Sequence, residues 1–368
     1  MKFTTDRESL LRPLQLVTGV VERRQTLPVL SNLLVRAADG VVSMTGTDLE
    51  VQLVASVDGI DVEQEGSATI PARKLADIWR SLDEGAQVSV ALEGSRTIVR
   101  SGRSRFALAT LPVDEFPDVA SQDADVSVSI PLANLQRLLD KTSFAMAQQD
   151  VRYFLNGMLL EITSAHVRAV ATDGHRMAMC TVEQNVAGVV DRVQVIVPRK
   201  GVIELGRLLN DSSADVELSL GRNHLTVKQD AYTLTTKLVD GKFPDYETVI
   251  PREAGQTLVG DRETLRQAFQ RAAILSNEKY RCVRLSLEAD QMKIEANNPE
   301  QEEAEEIVAI EYDGDSLEIG FNVAYLQDVL GVIETESVRL SVADANSSAL
   351  IEAPGVDDSL YVVMPMRL

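Results

Sequence analysis

Few side chains in this sequence could carry out acid–base chemistry. There are three histidines, His166, His175 and His224, and only His175 has a carboxylate close by, at Asp173. An aspartate and a histidine at this spacing could serve as an acid and base pair. Aspartate followed by glycine is more typical of a tight turn, and Asp48 follows a threonine in the same way earlier in the chain. The sequence therefore predicts a turn here and no catalytic residue.

Metal and thiol chemistry have equally little support. The run NNPEQEEAEE at 297–306 contains five glutamates, but acidic residues on an exposed strand or loop are usually solvated. Contact with a basic partner surface is the other interpretation. Cys180 and Cys282 are too few for a disulfide framework or a cysteine-rich metal site, and no nucleotide, dinucleotide or zinc motif is present. The sequence predicts no metal and no cofactor.

The charge of the chain is large but unevenly distributed. Its 368 residues include 36 basic and 56 acidic side chains, a formal net charge of −20. This sign argues against a generally basic surface for nucleic acid. Residues 253–368 alone hold nine basic and 23 acidic residues, and arginines outnumber lysines by 27 to nine. Guanidinium groups match phosphate geometry, so a locally basic face remains compatible with the net charge.

Composition places the chain among globular proteins. It is 45% hydrophobic and 25% charged, and no apolar run approaches the roughly 18 residues of a membrane span. The start, MKFTTDRESLL, has charges where a secretory signal needs an apolar segment. We therefore expect a cytoplasmic protein without a membrane partner. At roughly 100–200 residues per domain, the length suggests two or three domains.

Short matches recur along the chain at nearly constant offsets. TIPARKLADIWRSL at 69–82 resembles IVPRKGVIELGRLL at 196–209, and the FPD that ends at Asp118 returns at Asp245, both offset by 127 residues. A fainter third copy includes IGFNVAYLQDVL at 319–330. Repeats of this kind indicate duplicated structural units. They predict three domains, at 1–125, 126–252 and 253–368.

Each repeat shows the order helix, strands, helix, strands. In the first repeat, Leu10, Leu14 and Val17 fall at helical spacing, with Asp6 as the expected N-cap. Pro71 predicts the start of the second helix, and Gly85 is expected to end it as a C′ glycine. The intervening β-rich runs at 32–37, 41–44 and 51–54 predict strands. This order is typical of an α+β fold with mostly antiparallel strands.

Eleven short stretches spread over the chain match one protein family. They are MKFT at 1–4, TLP at 26–28, TGTDLE at 45–50, RSGRSRF at 100–106, QDVRY at 149–153, LNGM at 155–158, ATDGHR at 171–176, VPRKGVIEL at 197–205, ILSNEK at 274–279, NNPEQEEAEE at 297–306 and YVVMPMRL at 361–368. With these stretches, the chain resembles the bacterial sliding clamps, the beta subunits of DNA polymerase III, over its whole length. The family has three similar domains per chain and closes a ring from two chains. The resemblance therefore implies an α+β fold of three repeated clamp domains, each with two helices and antiparallel sheets.

The function that the resemblance implies is that of a DNA polymerase processivity factor, which is not an enzyme. A homodimeric ring would encircle duplex DNA without sequence preference, slide on it, and tether the replicative polymerase, the clamp loader, other polymerases and mismatch-repair proteins. Twelve helices spaced by roughly 10 Å would form a circle about 38 Å across, leaving a hole of about 28 Å for a duplex of about 20 Å. Attraction between helix arginines and phosphates would be diffuse and salt-sensitive.

The resemblance also implies where DNA would be contacted. Some of these positions lie on loops and the others on helices that would line the hole. They are Arg24, Arg73, Arg80, Gln149, Tyr153, Arg199 and Lys200.

A pocket between the second and third domains is implied as well, and in the family it takes short apolar peptides from partner proteins. Two positions at its edge depart from the family pattern, because Thr248 replaces an arginine and Asn346 replaces an apolar residue. Methionine-rich surfaces suit several partners. The matching pocket positions are Leu155, Thr172, Gly174, His175, Arg176, Met177, Pro244, Val249, Ser348, Val362, Met364, Pro365, Met366 and Arg367.

The implied contact between the two chains is head-to-tail. Phe106 and Leu108 of the first domain would meet Ile274 and Leu275 of the third. Basic residues of the first domain would face the acidic run of the third. The basic residues are Arg96, Arg103 and Arg105, and the acidic ones are Glu300, Glu302, Glu303, Glu305 and Glu306.

Two other functions remain open from the residues alone. A hydrolase that used Asp173 and His175 would show turnover that a His175→Ala variant loses. A monomeric, repeat-built binding protein would bind linear and circular DNA alike, or neither.

Overall fold

The computed structural model describes residues 1–22, 27–117, 124–186, 189–209, 215–251 and 255–367. These residues form helices and strands in three successive sets with one element order. Each set has a strand, a helix, four or five strands, a second helix and three more strands.

The first set comprises β1 (Lys2–Asp6), α1 (Arg7–Val20), β2 (Asn32–Ala38), β3 (Val41–Thr47), β4 (Val51–Val57), β5 (Asp61–Gln64), β6 (Gly66–Pro71), α2 (Ala72–Ser81), β7 (Gln87–Glu93), β8 (Arg96–Ser101) and β9 (Ser104–Ala109). The second set comprises β10 (Val126–Pro131), α3 (Leu132–Thr142), β11 (Gly157–Ile162), β12 (His166–Thr172), β13 (Arg176–Glu183), β14 (Val193–Pro198), α4 (Arg199–Leu208), β15 (Asp215–Leu220), β16 (His224–Gln229) and β17 (Tyr232–Lys237). The third set comprises β18 (Gln256–Asp261), α5 (Arg262–Ala273), β19 (Cys282–Glu288), β20 (Gln291–Asn297), β21 (Glu303–Ala309), β22 (Leu317–Asn322), α6 (Val323–Val332), β23 (Ser337–Val342), β24 (Ala349–Glu352) and β25 (Ser359–Val363).

The chain divides into two compact units. Unit 1, Met1–Leu135 with Lys200–Leu238, holds a five-stranded sheet of order β5-β1-β7-β8-β9 and an eight-stranded sheet of order β10-β15-β16-β17-β4-β3-β2-β6. Unit 2, Gln136–Arg199 with Val239–Leu368, holds an eight-stranded sheet of order β14-β11-β12-β13-β25-β24-β23-β18 and a four-stranded sheet of order β21-β20-β19-β22. Neighbouring strands are antiparallel, as expected for this α+β class.

Each set begins with a strand, although the repeat pattern predicts a helix at that place. In β1, Phe3 and Thr5 are buried while Lys2 and Thr4 are partly exposed, which is the alternation of a strand with one buried face. Such a strand is only five or six residues long in each set. The alternation is therefore too brief to stand out beside the longer helical pattern that follows it.

The helix ends of the first set confirm one prediction and correct another. Asp6 is the N-cap of α1, and its carboxylate accepts a hydrogen bond of 2.8 Å from the backbone N–H of Ser9. Gly85 does not cap α2, because Leu82 already leaves the helix in an extended conformation. Gly85 instead lies in the turn before β7, where its φ of +73° suits glycine.

Two pairs of strands join successive sets in the same register. In unit 1, β4 pairs with β17, with Val51 opposite Thr236. In unit 2, β13 pairs with β25, with Arg176 opposite Val363. Arg176 lies 125 residues after Val51, and Val363 lies 127 residues after Thr236. The duplication therefore repeats the junction between sets as well as the sets themselves.

Candidate functional site

The turn predicted around Asp173 is confirmed. Its carboxylate accepts hydrogen bonds from the backbone N–H groups of His175 at 2.9 Å and Arg176 at 3.0 Å. Asp48 accepts two backbone hydrogen bonds, of 2.9 and 2.7 Å, in the matching turn of the first set. The second oxygen of Asp173 accepts from the Arg176 guanidinium at 3.1 Å, and His175 is exposed. The carboxylate thus organises a turn rather than orienting an imidazole.

A cavity of about 250 Å³ lies beside this turn in unit 2. Its walls come from the segment before β11, the turn between β12 and β13, the loop after β17 and the end of β25. The lining residues are Arg152, Phe154, Leu155, Thr172, Gly174, Arg176, Met177, Phe243, Pro244, Asp245, Tyr246, Val249, Val362 and Met364.

Most of the predicted pocket residues meet at this cavity. Nine of them line it, namely Leu155, Thr172, Gly174, Arg176, Met177, Pro244, Val249, Val362 and Met364. His175, Ser348 and Pro365 are outside its lining, and Met366 and Arg367 line a second cavity of about 600 Å³ beside β19–β21.

Sequence reasoning missed five lining residues, namely Arg152, Phe154, Phe243, Asp245 and Tyr246. A signal for three of them was present, because Phe243 and Asp245 belong to the repeated FPD motif and Tyr246 follows it directly.

The apolar wall is built by pairing strands from the second and third sets. Met177 lies directly opposite Val362 in the β13–β25 pair. Both belong to a buried cluster with Leu159 and Phe243. The backbone N–H of Met364 donates to the carbonyl of His175 at 2.9 Å, which extends the wall beyond β25. Burial of these side chains therefore also fixes the shape of the cavity.

Arg152 forms the polar edge of the cavity. Its guanidinium donates to both carboxylate oxygens of Asp150, at 3.0 and 2.8 Å, and to the carbonyl of Asp173 at 3.2 Å. These hydrogen bonds lower the pKa of Asp150 to about 2. Gly174 has a φ of +87°, and a Cβ there would lie 2.8 Å from the guanidinium nitrogens. Glycine thus allows the turn and leaves room for Arg152.

Arg176 is held from several sides. Its guanidinium carbon lies 4.5 Å from the ring centroid of Tyr325 and 5.3 Å from that of Phe144. Its Nη2 donates to the carbonyl of Phe144 at 2.8 Å, and it forms ion pairs with Asp173 and Asp328. Arg176 is therefore a fixed part of the cavity wall.

The candidate DNA residues on helices differ in how free their charges are. Arg73 and Arg80 on α2 are exposed, and Arg80 forms an ion pair with Asp77 at 3.1 Å. Arg199 is half-buried and donates to the carbonyl of Met146 at 3.2 Å.

Lys200 is already neutralised in unit 1. It forms ion pairs with Glu22, at 2.9 Å, and with Asp48. Burial alone would lower the pKa of Lys200, but the hydrogen bonds to Asp48 and Glu22 outweigh burial and raise it. The positive charge of Lys200 is therefore neutralised by carboxylates of its own chain.

The candidate DNA residues on loops share no single environment. Gln149 is exposed and has a φ of +56°, in the left-handed region. Tyr153 is 58% exposed, so its ring is available for stacking on a base. Arg24 lies outside the described residues.

The candidate interface residues lie on or near the edge strands β9 and β21. Arg96, Arg103 and Arg105 are exposed, as are Glu300, Glu302, Glu303 and Glu305. Among the apolar candidates, Ile274 is 76% exposed, Phe106 and Leu275 are half-buried, and Leu108 is buried. Two of the acidic candidates are paired within their own chain: Glu306 accepts two hydrogen bonds of 2.7 Å from Arg271, and Glu305 forms an ion pair with Lys293 at 2.9 Å.

The described residues contain no group of three or more histidine, cysteine, aspartate or glutamate side chains placed to hold a metal ion. Within the same part of the chain, none of the helices has the length and apolar character needed to cross a membrane.

Domain profiles of one family match nearly the whole chain. The DNA polymerase III beta subunit N-terminal domain matches residues 1–120, the central domain matches 129–245, and the C-terminal domain matches 247–367. The beta sliding clamp of Pseudomonas aeruginosa is 57% identical, and that of Escherichia coli is 50% identical. Both alignments span 368 residues and cover 100% of each chain.

Solved structures agree with the sequence matches. The DNA polymerase III subunit beta from Pseudomonas aeruginosa superposes with a TM-score of 0.96 at 56% identity, covering 100% of both chains. A DnaN sliding clamp from the same organism, bound to griselimycin, has a TM-score of 0.95 at 56% identity and covers 100% of both chains. The Caulobacter crescentus beta sliding clamp has a TM-score of 0.95 at 37% identity, covering 100% of this chain and 99% of that one.

Proposed function

Because this chain belongs to the DNA polymerase III beta subunit family, the beta sliding clamps, we propose that two copies close a ring that encircles duplex DNA and slides on it. Its fold is that of three clamp domains, and its role is that of a non-catalytic polymerase processivity factor. We place the domain boundaries at 125/126 and 252/253, the second of which lies outside the described residues. The role in replication supports a cytoplasmic location.

The ring rests on one observation, the repeated junction between sets. By element order, β21 of the third set corresponds to β4 and β13, and β9 of the first set corresponds to β17 and β25. The strands β4 and β13 each pair with the matching strand of the next set. In contrast, β21 and β9 are the edge strands of their sheets. A third junction between β21 of one copy and β9 of the other would close the ring.

The hairpins predict the register of this third junction. Ser104 opens β9 after a two-residue turn, as Tyr232 opens β17. Glu303 pairs with the last residue of β20, as Gln52 pairs with the last residue of β3. Gln52 lies opposite Thr235 in the β4–β17 pair. The same register places Glu303 opposite Ala107 of the other copy.

Two further pairs follow from that register. Glu305 would lie opposite Arg105, and Ala304 would lie opposite Phe106. Opposite charges facing each other across neighbouring strands stabilise a sheet. The junction would also cover Ile274, which is 76% exposed, and Ile307, which is 60% exposed. Both charge and apolar area therefore support pairing of two copies at these edges.

We propose that the cavity of about 250 Å³ binds short apolar peptide segments of partner proteins. Its apolar wall of Met177, Val362 and Met364 with its polar edge at Arg152 suits such a segment. The replicative polymerase, the clamp loader, other polymerases and mismatch-repair proteins are the partners we propose. Binding of griselimycin by the related clamp from Pseudomonas aeruginosa supports a ligand site in this fold.

Attraction to DNA would be weak and unspecific. The exposed charges of Arg73 and Arg80, with Arg199 and Arg24, would contact phosphates, while Tyr153 and Gln149 would contact the strand from a loop. Lys200 would contribute little, because Asp48 and Glu22 already neutralise its charge. A net charge of −20 would keep the rest of the surface from adhering to DNA.

Retention on DNA of two topologies tests the ring. The clamp loader and ATP would load the protein on nicked circular plasmid, and half of the sample would then be cut to linear DNA. A ring held by topology slides off the ends of linear DNA and stays on circular DNA. Equal retention on both forms would show binding by affinity, as in a monomeric binding protein, and would contradict the ring.

A further inference from the structure

A cluster of charged side chains surrounds one buried carboxylate beside the peptide cavity. The Glu161 side chain on β11 is buried, with 1% of the residue exposed. Its carboxylate accepts hydrogen bonds from Arg192 Nε at 2.6 Å and Gln194 Nε2 at 2.8 Å, and it lies 3.6 Å from Arg168. His166 Nε2 lies 3.2 Å away. A buried carboxylate needs such partners, because burial without them is costly.

The cluster holds the hydroxyl of one cavity residue, Tyr246. That hydroxyl donates to Glu161 Oε2 at 3.1 Å. It accepts hydrogen bonds from Arg168 Nη1 at 2.9 Å and from Arg192 Nη2 at 3.0 Å. The hydroxyl thus uses both its donor and its acceptor capacity on charged groups, and hydrogen bonds of this kind are strong.

Tyr246 belongs to the loop at 243–249, which supplies five of the residues that line the cavity. Within this loop, Thr248 donates two hydrogen bonds to the carbonyl of Asp245, one from its hydroxyl at 2.7 Å and one from its backbone N–H at 3.4 Å. Phe243 anchors the start of the loop in the buried cluster of unit 2. Tyr246 is the second buried anchor, and Val249 of the cavity wall lies three residues beyond it.

We propose that Glu161, Arg168 and Arg192 form a clasp on the Tyr246 hydroxyl that positions the 243–249 loop and thereby sets the shape of the peptide cavity. These are positioning residues, because Tyr246 alone of the four lines the cavity. The inference rests on the proposed binding of peptides to this cavity.

The clasp would act by keeping the loop in its binding conformation. Without the carboxylate, the two guanidinium groups would lose the counter-charge that they share, and Arg192 would keep only its ion pair with Glu247 at 3.6 Å among the described residues. Without the hydroxyl, three charged groups would lose their common partner. In either case the loop would spend less time in the conformation that binds. The apparent Kd rises by the inverse of the remaining competent fraction, so a fall of that fraction to about one tenth weakens binding about tenfold.

Griselimycin binding and hydrogen exchange test the clasp on the full-length protein. Two variants are informative. Tyr246→Phe keeps the aromatic side chain and removes only its hydroxyl, and Glu161→Gln removes the negative charge. Tyr312→Phe is the matched control, because Tyr312 is buried to the same degree and its hydroxyl bonds Gln256 and Asp315 away from the cavity. Val249→Asp, at an exposed position of the wall, tests the cavity itself.

We expect Tyr246→Phe and Glu161→Gln each to weaken griselimycin binding about tenfold and to speed exchange of the amides at 243–251. The double variant should bind griselimycin as tightly as the single variant with the lower affinity, because both changes release the same clasp. Tyr312→Phe should match the wild type in both measurements. All variants should keep the oligomeric state of the wild type, measured by light scattering.

The clasp is wrong if Tyr246→Phe binds griselimycin within about twofold of the wild type and its 243–251 amides exchange at the wild-type rate. The proposed peptide site itself is wrong if griselimycin does not bind the wild type, or if it binds Val249→Asp as tightly as the wild type. In that case the exchange rates alone decide whether the clasp positions the loop, and its role in binding is refuted.

Discussion

Gly174 shows how much of the cavity of about 250 Å³ depends on one residue. Its φ of +87° lies in the left-handed region, where a residue with a Cβ pays about 1–2 kcal/mol. A Cβ would also displace the guanidinium of Arg152, which lies 2.8 Å from its position. Gly174→Ala should therefore lower the free energy of unfolding by about 1–2 kcal/mol and weaken griselimycin binding. Thermal unfolding and calorimetry measure the two effects.

Gly331→Ala is the control within the same unit. Gly331 lies in α6, and outside its own helix backbone none of the described residues has an atom within 4 Å of an added Cβ. Alanine in a helix is more stable than glycine by about 0.5–1 kcal/mol, so this variant should be slightly stabilised and should bind normally. Equal effects of the two substitutions would contradict the argument from φ.

The buried carboxylate of Glu161 predicts a dependence of stability on pH. Burial alone raises the pKa of Glu161, but hydrogen bonds from Gln194, Arg192 and His166 outweigh it and lower the pKa below the ordinary 4.5. A lowered pKa contributes stability above the ordinary value and loses it as the pH falls through the folded value. The melting temperature of the wild type should therefore fall more steeply between pH 5 and pH 3 than that of Glu161→Gln.

Glu278→Gln provides the comparison for the pH experiment, because Glu278 is an exposed glutamate of the same unit. It should follow the wild type at every pH. If Glu161→Gln and the wild type had parallel melting profiles, the carboxylate would not be stabilised by its partners in the way the contacts indicate.

Helix α4 uses one of its basic residues to join two sets. Lys200 is the link, because it bonds Glu22, just after α1, and Asp48 in the turn between β3 and β4. The side chain of Asp48 is 4% exposed, so removal of its partner leaves a nearly buried charge. Lys200→Ala should therefore lower the free energy of unfolding by about 2–3 kcal/mol, measured by denaturant unfolding.

Lys74→Ala removes the same charge from the exposed face of α2. Substitutions at such surface positions usually change the free energy of unfolding by no more than about 0.5 kcal/mol. If Lys200→Ala were as mild as Lys74→Ala, the ion pairs of Lys200 would not stabilise unit 1. The charge would then be available for DNA.

For the whole molecule, the predicted register of β9 against β21 gives a test by charge exchange. Arg105→Glu should weaken the dimer, because it places a carboxylate opposite Glu305 of the other copy. Arg105→Glu combined with Glu305→Arg should restore dimer affinity. Reversing both Arg103 and Arg105 should weaken the dimer further and increase its sensitivity to salt, since exposed ion pairs are screened. Light scattering on dilution measures each affinity.

Arg36→Glu is the matched control for the charge exchange. Arg36 is exposed on β2 of the first set, where it lies opposite Ser43 and Ser67 and not opposite Arg105. It should leave the dimer unchanged. Unchanged dimer affinity in Arg105→Glu, or failure of the double exchange to restore it, would contradict the proposed register.

Local features of this protein could be predicted from the sequence alone. The helix start at Asp6 and the turn at Asp173 each depend on residues that are neighbours in the chain, and the repeats are matches of residue type that the sequence itself contains. The strands at 32–37, 41–44 and 51–54 are confirmed as β2, β3 and β4. Nine pocket residues could be named because the resemblance to the family carries positions over one at a time.

Only the tertiary structure decided what depends on residues far apart in the chain. Pairing of β13 with β25 brings Val362 beside Met177 across 185 residues. Burial of Glu161 gives Tyr246 its anchor, and the carboxylate of Asp48 neutralises Lys200. The charge of one side chain does not show whether it will face solvent, DNA or a carboxylate. That outcome depends on which strands pair and which side chains the pairing buries.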